Sequence, residues 1–173
     1  MGRTLRPKGA LLDLNLIAEL VLLIVVANGA PVLAKRALGT RLDRPLDGGT
    51  VLADGRPPFG PTKTIRGVAL SLLATPLAAE LLGLPWKVGA LVAGAAIAGD
   101  LFSSFMKRRL GLPPSSMAIG LDQIPETLLP LLASRVVLPV GWLDIVVGVI
   151  IFFGAELVLS RILFKLRLRD KPY

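Results

Sequence analysis

The central feature of this sequence is the stretch AGDLFSSFMKRRLGLPPSSMAIGLDQIPE, residues Ala98 to Glu126. One carboxylate, Asp100, lies inside an apolar run, and a second, Asp122, lies just inside the next apolar run. Two acids that face each other across a tight loop, with cations beside them, favour a site for a divalent metal and a polyphosphate. The helical spacing i, i+4, i+7 and i+8 puts four polar residues on one face: Asp100, Ser104, Lys107 and Arg108.

The composition indicates a membrane protein. Of the 173 residues, 53% are hydrophobic, and the mean hydropathy is +0.69. The apolar residues come in long blocks separated by charged loops, which is typical of a polytopic membrane protein without a separate soluble domain. The net charge of +8 does not indicate nucleic-acid binding, because the basic residues flank the apolar blocks and aromatic residues that could stack on bases are scarce.

Cysteine and histidine are both absent from the sequence. Their absence excludes a disulfide framework, thiolate chemistry, a histidine general base and a histidine zinc ligand. Any catalysis must therefore rest on carboxylates, lysine and arginine, hydroxyl groups and bound metal.

The apolar blocks predict an all-α integral membrane protein, a single domain over residues 1–173 with about five transmembrane helices. Pro31 is expected to kink the first helix or to end its regular part. The third span is rich in Gly and Ala, which lets helices approach closely in lipid and allows a homodimer. The predicted spans are 11–33, 65–84, 86–106, 119–138 and 142–166, and the two polar cytoplasmic loops are 34–64 and 107–118.

The positions of the basic residues predict the orientation. Five spans put the two polar loops and the C-terminal tail on one side, and that side carries 15 of the 20 Lys and Arg residues. The positive-inside rule then places these segments in the cytoplasm and the N-terminus outside, in the cell membrane. The first apolar run has no small-residue cleavage site after it, so it is expected to be a true span and not a signal peptide.

The first polar loop ends in FGPTKTIRG, residues Phe59 to Gly67, directly before the second span. Glycines and cations before a helix resemble a phosphate cradle, since backbone amides at a helix N-terminus favour anions. The spacing is not that of a Walker A loop. A positive-inside anchor with a Gly-Pro turn explains the same residues equally well. The candidate phosphate-binding residues here are Gly60, Lys63, Thr64, Arg66 and Gly67.

Carboxylates inside membrane spans are costly and usually face an interior or a wet cavity. We predict that Asp100 and Asp122 open to one cytoplasmic cavity and share a Mg²⁺ site, because hard oxygen ligands suit this ion. The alternative is an ion pair in which Lys107 or Arg108 neutralises Asp100. Asn28 is a candidate for binding a polar group of a substrate, although such an Asn more often hydrogen-bonds a neighbouring helix. Four other span carboxylates are assigned no chemistry: Glu19, Glu80, Asp144 and Glu156.

Taken together, four motifs resemble one family. They are Asn28-x-x-Pro31; the Asp-Gly-Arg-x-x-Phe-Gly-x-x-Lys-Thr-x-Arg-Gly run from Asp54 to Gly67; Gly99-Asp100 with Ser104, Lys107-Arg108 and Gly111; and Gly120-Leu121-Asp122-Gln123. The combination resembles the archaeal CDP-archaeol synthases, counterparts of the CDP-diacylglycerol synthases, over nearly the whole chain. Bacterial members carry a Gly-His-Gly-Gly segment where this chain has PPSSMAIGLDQIPE, which favours the archaeal branch.

The resemblance implies Mg²⁺-dependent cytidylyl transfer from CTP to 2,3-di-O-geranylgeranylglyceryl phosphate, an isoprenoid ether-lipid phosphate, giving CDP-archaeol and pyrophosphate. The nucleophile would be a lipid phosphate oxygen, already ionised near neutral pH, so that no histidine base is needed. On this basis Asp100 and Asp122 are assigned to the metal and, with Lys107, to catalysis. The residues assigned to CTP and its phosphates are Asn28, Gly60, Lys63, Thr64, Arg66, Gly67, Ser104, Lys107 and Arg108.

Two other classes of protein were weighed. A CDP-alcohol phosphotransferase would carry a fixed run of Asp residues on one helix, which this sequence lacks. A small membrane transporter or channel for an anion or a phosphorylated compound could use the same basic cavity. Inverted repeats would support a transporter, and no convincing repeat relates the two halves of the chain.

Overall fold

The computed structural model describes residues 12–167. The basic N-terminal residues, Leu11 of the first predicted span, and Arg169 and Lys171 of the predicted cytoplasmic tail lie outside this range. Between residues 12 and 167 the chain forms helices and no strand, apart from one isolated bridge between Pro45 and Thr64. The all-α prediction is therefore confirmed. The helices are α1 (Leu14–Leu38), α2 (Ile65–Leu81), α3 (Trp86–Arg109), α4 (Gln123–Ser134) and α5 (Trp142–Lys165).

Three of these helices are long and apolar enough to cross a membrane: α1, α3 and the Trp142–Ile162 part of α5. The 17 residues of α2 and the 12 residues of α4 rise only about 25 and 18 Å, which is less than a hydrocarbon core of about 30 Å. The predicted fourth span, 119–138, is thus helical only in its middle. Its start is a turn in which Gly120 has a φ of +83° and donates its N–H to Gln123 Oε1 at 2.8 Å.

Two helices extend further than their predicted spans. The α1 helix continues past Pro31 to Leu38, so Pro31 does not end it. Proline leaves the carbonyl four residues earlier without its helical partner, and here that carbonyl, on Ala27, accepts a hydrogen bond from Ser71 Oγ of α2 at 2.5 Å. The α3 helix continues to Arg109, so its basic residues belong to the helix and not to the following loop. Cations in a last turn are favoured by the helix dipole.

The helices alternate in direction, so α1, α3 and α5 all end at the same end of the bundle. The two long loops, 39–64 and 110–122, lie at this end, which we call the polar-loop end. Short connections, 82–85 and 135–141, close the opposite end. Leucine, isoleucine and valine side chains of α1 fill the interior together with residues of the other four helices.

Two glycines of α3 bring backbones into contact. A Cβ on Gly89 would lie 2.6 Å from the Cα of Pro76 in α2, and one on Gly99 would lie 2.8 Å from the backbone N of Glu126 in α4. Only glycine permits such close approaches. The contact at Gly99 places Asp100, the next residue, beside the first turn of α4.

At the opposite end, the carboxylate of Asp144 is buried, with 1% of the residue exposed. Its two oxygens accept backbone hydrogen bonds, from Asp13 N–H at 3.0 Å and from Gly141 N–H at 2.7 Å. The carboxylate of Asp13 in turn accepts from Leu16 N–H at 3.0 Å. These bonds join the beginnings of α1 and α5 and satisfy amides that a helix leaves without partners.

Candidate active site

The first component of the site is an ion pair between the long loop and α3. Lys63 Nζ lies 2.5 Å from both carboxylate oxygens of Asp100. The side chains are 24% and 29% exposed, so the pair is partly open to solvent at the polar-loop end. From the sequence, the alternative to a metal site was an ion pair of Asp100 with Lys107 or Arg108. In the structure the ion-pair partner of Asp100 is instead Lys63.

A second carboxyl group, that of Glu126 in α4, adjoins the same pair. The side chains of Asp100 and Glu126 are hydrogen-bonded to each other. Asn28 Nδ2 of α1 donates to Glu126 Oε2 at 3.1 Å, the contact with a neighbouring helix that we considered for this residue. Glu126 is 8% exposed. One side chain each from α1, α3 and α4, with Lys63, therefore meet at one point.

The second ion pair joins α3 to the start of α4. Lys107 Nζ lies 2.6 Å from Asp122 Oδ1, and both side chains are nearly buried. Lys107 also donates to the carbonyl of Ser116 at 3.1 Å. The other oxygen of Asp122 accepts the N–H of Ala118 at 2.9 Å, which holds the turn before α4.

The position of Lys63 is fixed by its own loop. Its carbonyl accepts the N–H of Leu46 at 2.7 Å, and its N–H donates to the carbonyl of Gly60 at 3.2 Å. The carboxylate of Asp47 accepts three backbone N–H groups, from Gly49 at 3.1 Å, Phe59 at 3.2 Å and Gly60 at 2.8 Å. Asp47 thus fixes the part of the loop that leads into Lys63.

The same loop is fastened to the end of α3. Arg56 donates to the carbonyls of Arg108 and Arg109 at 3.3 and 2.8 Å, and Arg109 pairs with Asp54 at 2.5 Å. Arg56 also restricts Gly111, whose φ is +74°, because a Cβ there would lie 3.1 Å from the guanidinium. Free carbonyls at a helix C-terminus are natural acceptors for such cations. The loop and α3 therefore hold their charged residues in a fixed relation.

Several predicted phosphate ligands take structural positions at the base of the loop. The guanidinium of Arg66 donates to the carbonyls of Gly39 and Arg41, at 2.8 and 2.5 Å, and to Asp43 at 2.9 Å. Thr64 caps α2, its hydroxyl accepting from Gly67 N–H at 3.3 Å. Their contact with phosphate stays a prediction.

The remaining predicted residues lie around the two ion pairs. Ser104 and Arg108 are buried on α3, on the face that carries Asp100. Arg108 donates to the carbonyl of Pro113 at 2.8 Å, while its Nε is buried and has no hydrogen-bond partner among residues 12–167. A Cβ on Gly60 would lie 3.4 Å from the Arg108 guanidinium, so this glycine brings the loop onto α3. A buried guanidinium N–H without a partner is suited to an anionic ligand.

The carboxyl groups keep Lys63 charged. Burial opposes the charged form, but Asp100, Glu126 and Asp122, together with the hydrogen bond to Asp100, raise the pKa of Lys63 above its ordinary value. Lys63 is therefore an ammonium cation throughout the physiological pH range. It faces three carboxyl groups from α3 and α4.

The donor set fits a hard divalent cation that keeps part of its coordination free. Within residues 12–167 no three His, Cys, Asp or Glu residues are grouped so that together they could hold a metal ion. Mg²⁺ usually takes one or two protein carboxylates and fills its other positions with water and phosphate oxygens. Asp100 and Asp122, each held by a lysine that can exchange partners, match that pattern.

The chain has helices long and apolar enough to span a membrane, and carboxylates and lysines at one end of the bundle, an arrangement suited to a membrane enzyme that works on phosphate groups. The family model described as CarS-like, CDP-archaeol synthase, matches residues 86–173. The chain belongs to the CDP-archaeol synthase family, and it is a cytidylyltransferase of archaeal lipid synthesis.

Individual relatives agree with this assignment. The CDP-archaeol synthase of Pyrobaculum calidifontis is 35% identical over 92% of this chain and 100% of its own length. That of Sulfurisphaera tokodaii is 34% identical over 86% of this chain and 90% of its own length. A solved structure, described as an intramembrane enzyme for archaeal membrane lipids biosynthesis, is 31% identical and superposes with a TM-score of 0.72, over 86% of this chain and 95% of the other.

The sequence missed Glu126 as a residue of the site. The signal was present, because Glu126 follows Asp122 by one helical turn and therefore lies on the same side of α4. Glu156 of α5, to which the sequence assigned no chemistry, lies within electrostatic reach of Glu126.

Proposed function

We propose that this chain transfers the cytidylyl group of CTP to the phosphate of 2,3-di-O-geranylgeranylglyceryl phosphate. A lipid phosphate oxygen attacks the α-phosphorus of CTP, a new P–O bond forms, the bond to the β-phosphate breaks, and pyrophosphate leaves. The attacking oxygen is ionised near neutral pH and needs no general base. The single observation that carries the proposal is the presence of two lysine–carboxylate contacts, Lys63–Asp100 and Lys107–Asp122, within electrostatic reach of each other at the polar-loop end.

Asp100 and Asp122 would hold Mg²⁺, which would neutralise charge on the nucleotide phosphates. Hard carboxylate oxygens and an incomplete protein ligand set are what support this choice of ion.

Lys63 and Lys107 would supply positive charge to the phosphates. Each ammonium group is now paired with a carboxylate. Binding of a metal–nucleotide complex would exchange these partners, so that the carboxylates face the cation and the lysines face phosphate oxygens. Arg108, with an unpartnered Nε, is a third donor beside them. Catalysis then consists of positioning and of neutralising the charge of the α-phosphate and the leaving pyrophosphate.

The polar-loop end would face the cytoplasm, where CTP is available. The excess of Lys and Arg on the two long loops supports this orientation. The lipid would keep its chains in the bilayer while its phosphate reaches the two ion pairs.

The test is the transfer of label from [α-³²P]CTP to lipid by purified protein, with digeranylgeranylglyceryl phosphate and with or without Mg²⁺. We expect labelled lipid and an equal amount of pyrophosphate, both dependent on lipid and metal. Folded protein that releases no pyrophosphate with any lipid phosphate would overturn the proposal. Uptake of a phosphorylated compound into vesicles by such protein would instead support the transporter alternative.

A further inference from the structure

An apolar groove lies on the outer surface of the bundle between α1 and α5. Its volume is about 410 Å³. From Gly154 to Ile162 it follows α5 for about 12 Å, at 1.5 Å per residue. All the residues that line it are apolar: Val25, Gly154, Ala155, Val158, Leu159 and Ile162.

The groove lies at the same depth along the bundle as the cluster of Asn28, Lys63, Asp100 and Glu126. Val25 precedes Asn28 by one helical turn, and Asn28 hydrogen-bonds Glu126. On the other wall, Ala155 precedes Glu156, which lies within electrostatic reach of the same Glu126. The groove and the cluster therefore both adjoin the contact between α1 and α5.

The end of the groove nearest the polar loops is basic. Lys35 and Arg36 occupy the last turn of α1, and Arg161 and Lys165 lie near the end of α5, all exposed. Arg36 donates to the carbonyl of Arg167 at 2.6 Å, which ties the two helix ends together. An apolar groove with cations at the interfacial end is complementary to a lipid with an anionic headgroup.

We propose that this groove holds one hydrocarbon chain of the phosphate-headed lipid substrate as it enters, with the phosphate passing the basic end on its way to the two ion pairs. This inference rests on the proposed function and specifies where the lipid enters. The surrounding lipid tails are as apolar as the groove, so moving a chain into the groove removes no apolar surface from water. Van der Waals packing therefore stabilises the bound chain. The groove therefore contributes to the choice and placement of the lipid and not to the binding of CTP.

The groove can be filled without disturbing the fold. A Cβ on Gly154 meets no atom of residues 12–167 within 4 Å, so Gly154→Leu adds bulk to open space. The matched control is Gly94→Leu on α3, an exposed position where a Cβ likewise meets no atom of the described part of the chain within 4 Å. We expect Gly154→Leu to raise the KM for the lipid about 3- to 10-fold, with the KM for CTP and kcat unchanged, and Gly94→Leu to change none of them.

A second variant tests the basic end of the groove. Arg161→Gln is expected to raise the KM for the lipid about 3- to 5-fold and to weaken its dependence on salt, since it removes one interfacial cation. The control is Lys87→Gln, an exposed cation at the opposite end of the bundle.

A direct measurement keeps the test independent of turnover. The chain has no cysteine, so Val158→Cys and the control Ile150→Cys each take a single nitroxide label. Both positions are exposed on α5, and only Val158 lines the groove. We expect digeranylgeranylglyceryl phosphate, added without CTP, to reduce the mobility of the label at 158 and not at 150.

The outcomes separate the two proposals. Wild-type protein that transfers no cytidylyl group would overturn the proposed function. Active wild-type protein whose Gly154→Leu and Gly94→Leu variants have equal lipid KM values, or whose label at 158 does not respond to lipid, would overturn the groove assignment alone.

Discussion

Carboxylates with specific partners lie at both ends of this bundle, and they differ in what they bind. At the polar-loop end, Asp100 and Asp122 are paired with the side-chain ammonium groups of Lys63 and Lys107. At the opposite end, Asp144 accepts hydrogen bonds from backbone N–H groups. A lysine side chain can turn to another partner, whereas a backbone amide cannot move without unfolding its helix. The first end is therefore suited to ligand binding, and the second to stability.

The strongest test of this difference is Asp100→Asn. We expect turnover to fall at least about 10³-fold, because a hard anionic ligand and its charge are lost at the reacting phosphates. The unfolding midpoint should change little, since the pair with Lys63 is partly exposed. Labelled-CTP transfer and thermal unfolding of the same preparation measure both effects. A variant with near-normal activity would contradict the assignment of Asp100 to the metal.

A sharper test is Lys63→Gln, in which two quantities should move in opposite directions. Turnover should fall about 10²-fold as a phosphate donor is lost. Binding of Mn²⁺ without nucleotide should become about tenfold tighter, because no ammonium group competes for Asp100. Electron paramagnetic resonance of free Mn²⁺ gives the affinity.

The control for this test is Lys87→Gln, exposed at the other end, which should leave both values unchanged. Weaker Mn²⁺ binding by Lys63→Gln than by wild type would show that the lysine does not occupy the metal's place.

At the opposite end, a substitution should change the stability of the protein and not its catalytic rate. Asp144→Ala leaves two amides at the starts of α1 and α5 without their acceptor, and we expect a loss of about 2 kcal/mol in the free energy of unfolding. The kcat of the folded fraction should be retained. Glu80→Ala removes an exposed carboxylate at the same end and should cost nothing measurable. If Asp144→Ala instead lowers kcat in stable protein, the division between the two ends is wrong.

The smallest effect is expected from Asp47→Asn, a backbone-bonded carboxylate at the polar-loop end. Burial raises the pKa of Asp47, but the N–H groups of Gly60, Gly49 and Phe59 outweigh it and hold the pKa below 3.8. Its contribution to stability is therefore fully present above pH 3.8 and is lost as the pH falls through the lower pKa of the folded state.

Hydrogen exchange of the Gly60 amide measures this effect. At pH 7 the exchange of Asp47→Asn should be a few-fold faster than that of wild type, because a charged acceptor has become neutral. The difference should shrink below pH 3.8. An equal difference at both pH values would show that the charge of Asp47 does not matter to the loop.

The sequence predicted the parts of this molecule that depend on periodicity. Asp100, Ser104, Lys107 and Arg108 share a face of α3 because helical spacing determines it. The order of the five helices follows from the apolar blocks. The short length of α4 could not be predicted from these blocks. Its ends depend on turn hydrogen bonds, such as that from Gly120 to Gln123, and not on hydropathy.

Contacts between distant segments could not be predicted in the same way. Lys63 and Asp100 are separated by 37 positions, and their meeting depends on how loop 39–64 folds onto α3. Asp47 and Arg56 determine that folding through bonds to backbone groups, which leave no periodic signal. The same reason explains Arg66: its charge suggested phosphate, whereas its three acceptors belong to the loop.

The proline of α1 has a consequence for how the chain enters the membrane. Because Pro31 donates no hydrogen bond, the Ala27 carbonyl depends on the hydroxyl of Ser71 in α2. Gly67 of α2 also packs against Pro31, where a Cβ would lie 3.1 Å from the ring. In hydrocarbon an unsatisfied carbonyl is costly. The hydrogen bonding of the first helix is therefore incomplete until the second helix packs beside it. We expect the two helices to leave the membrane insertion machinery together, as one helical hairpin.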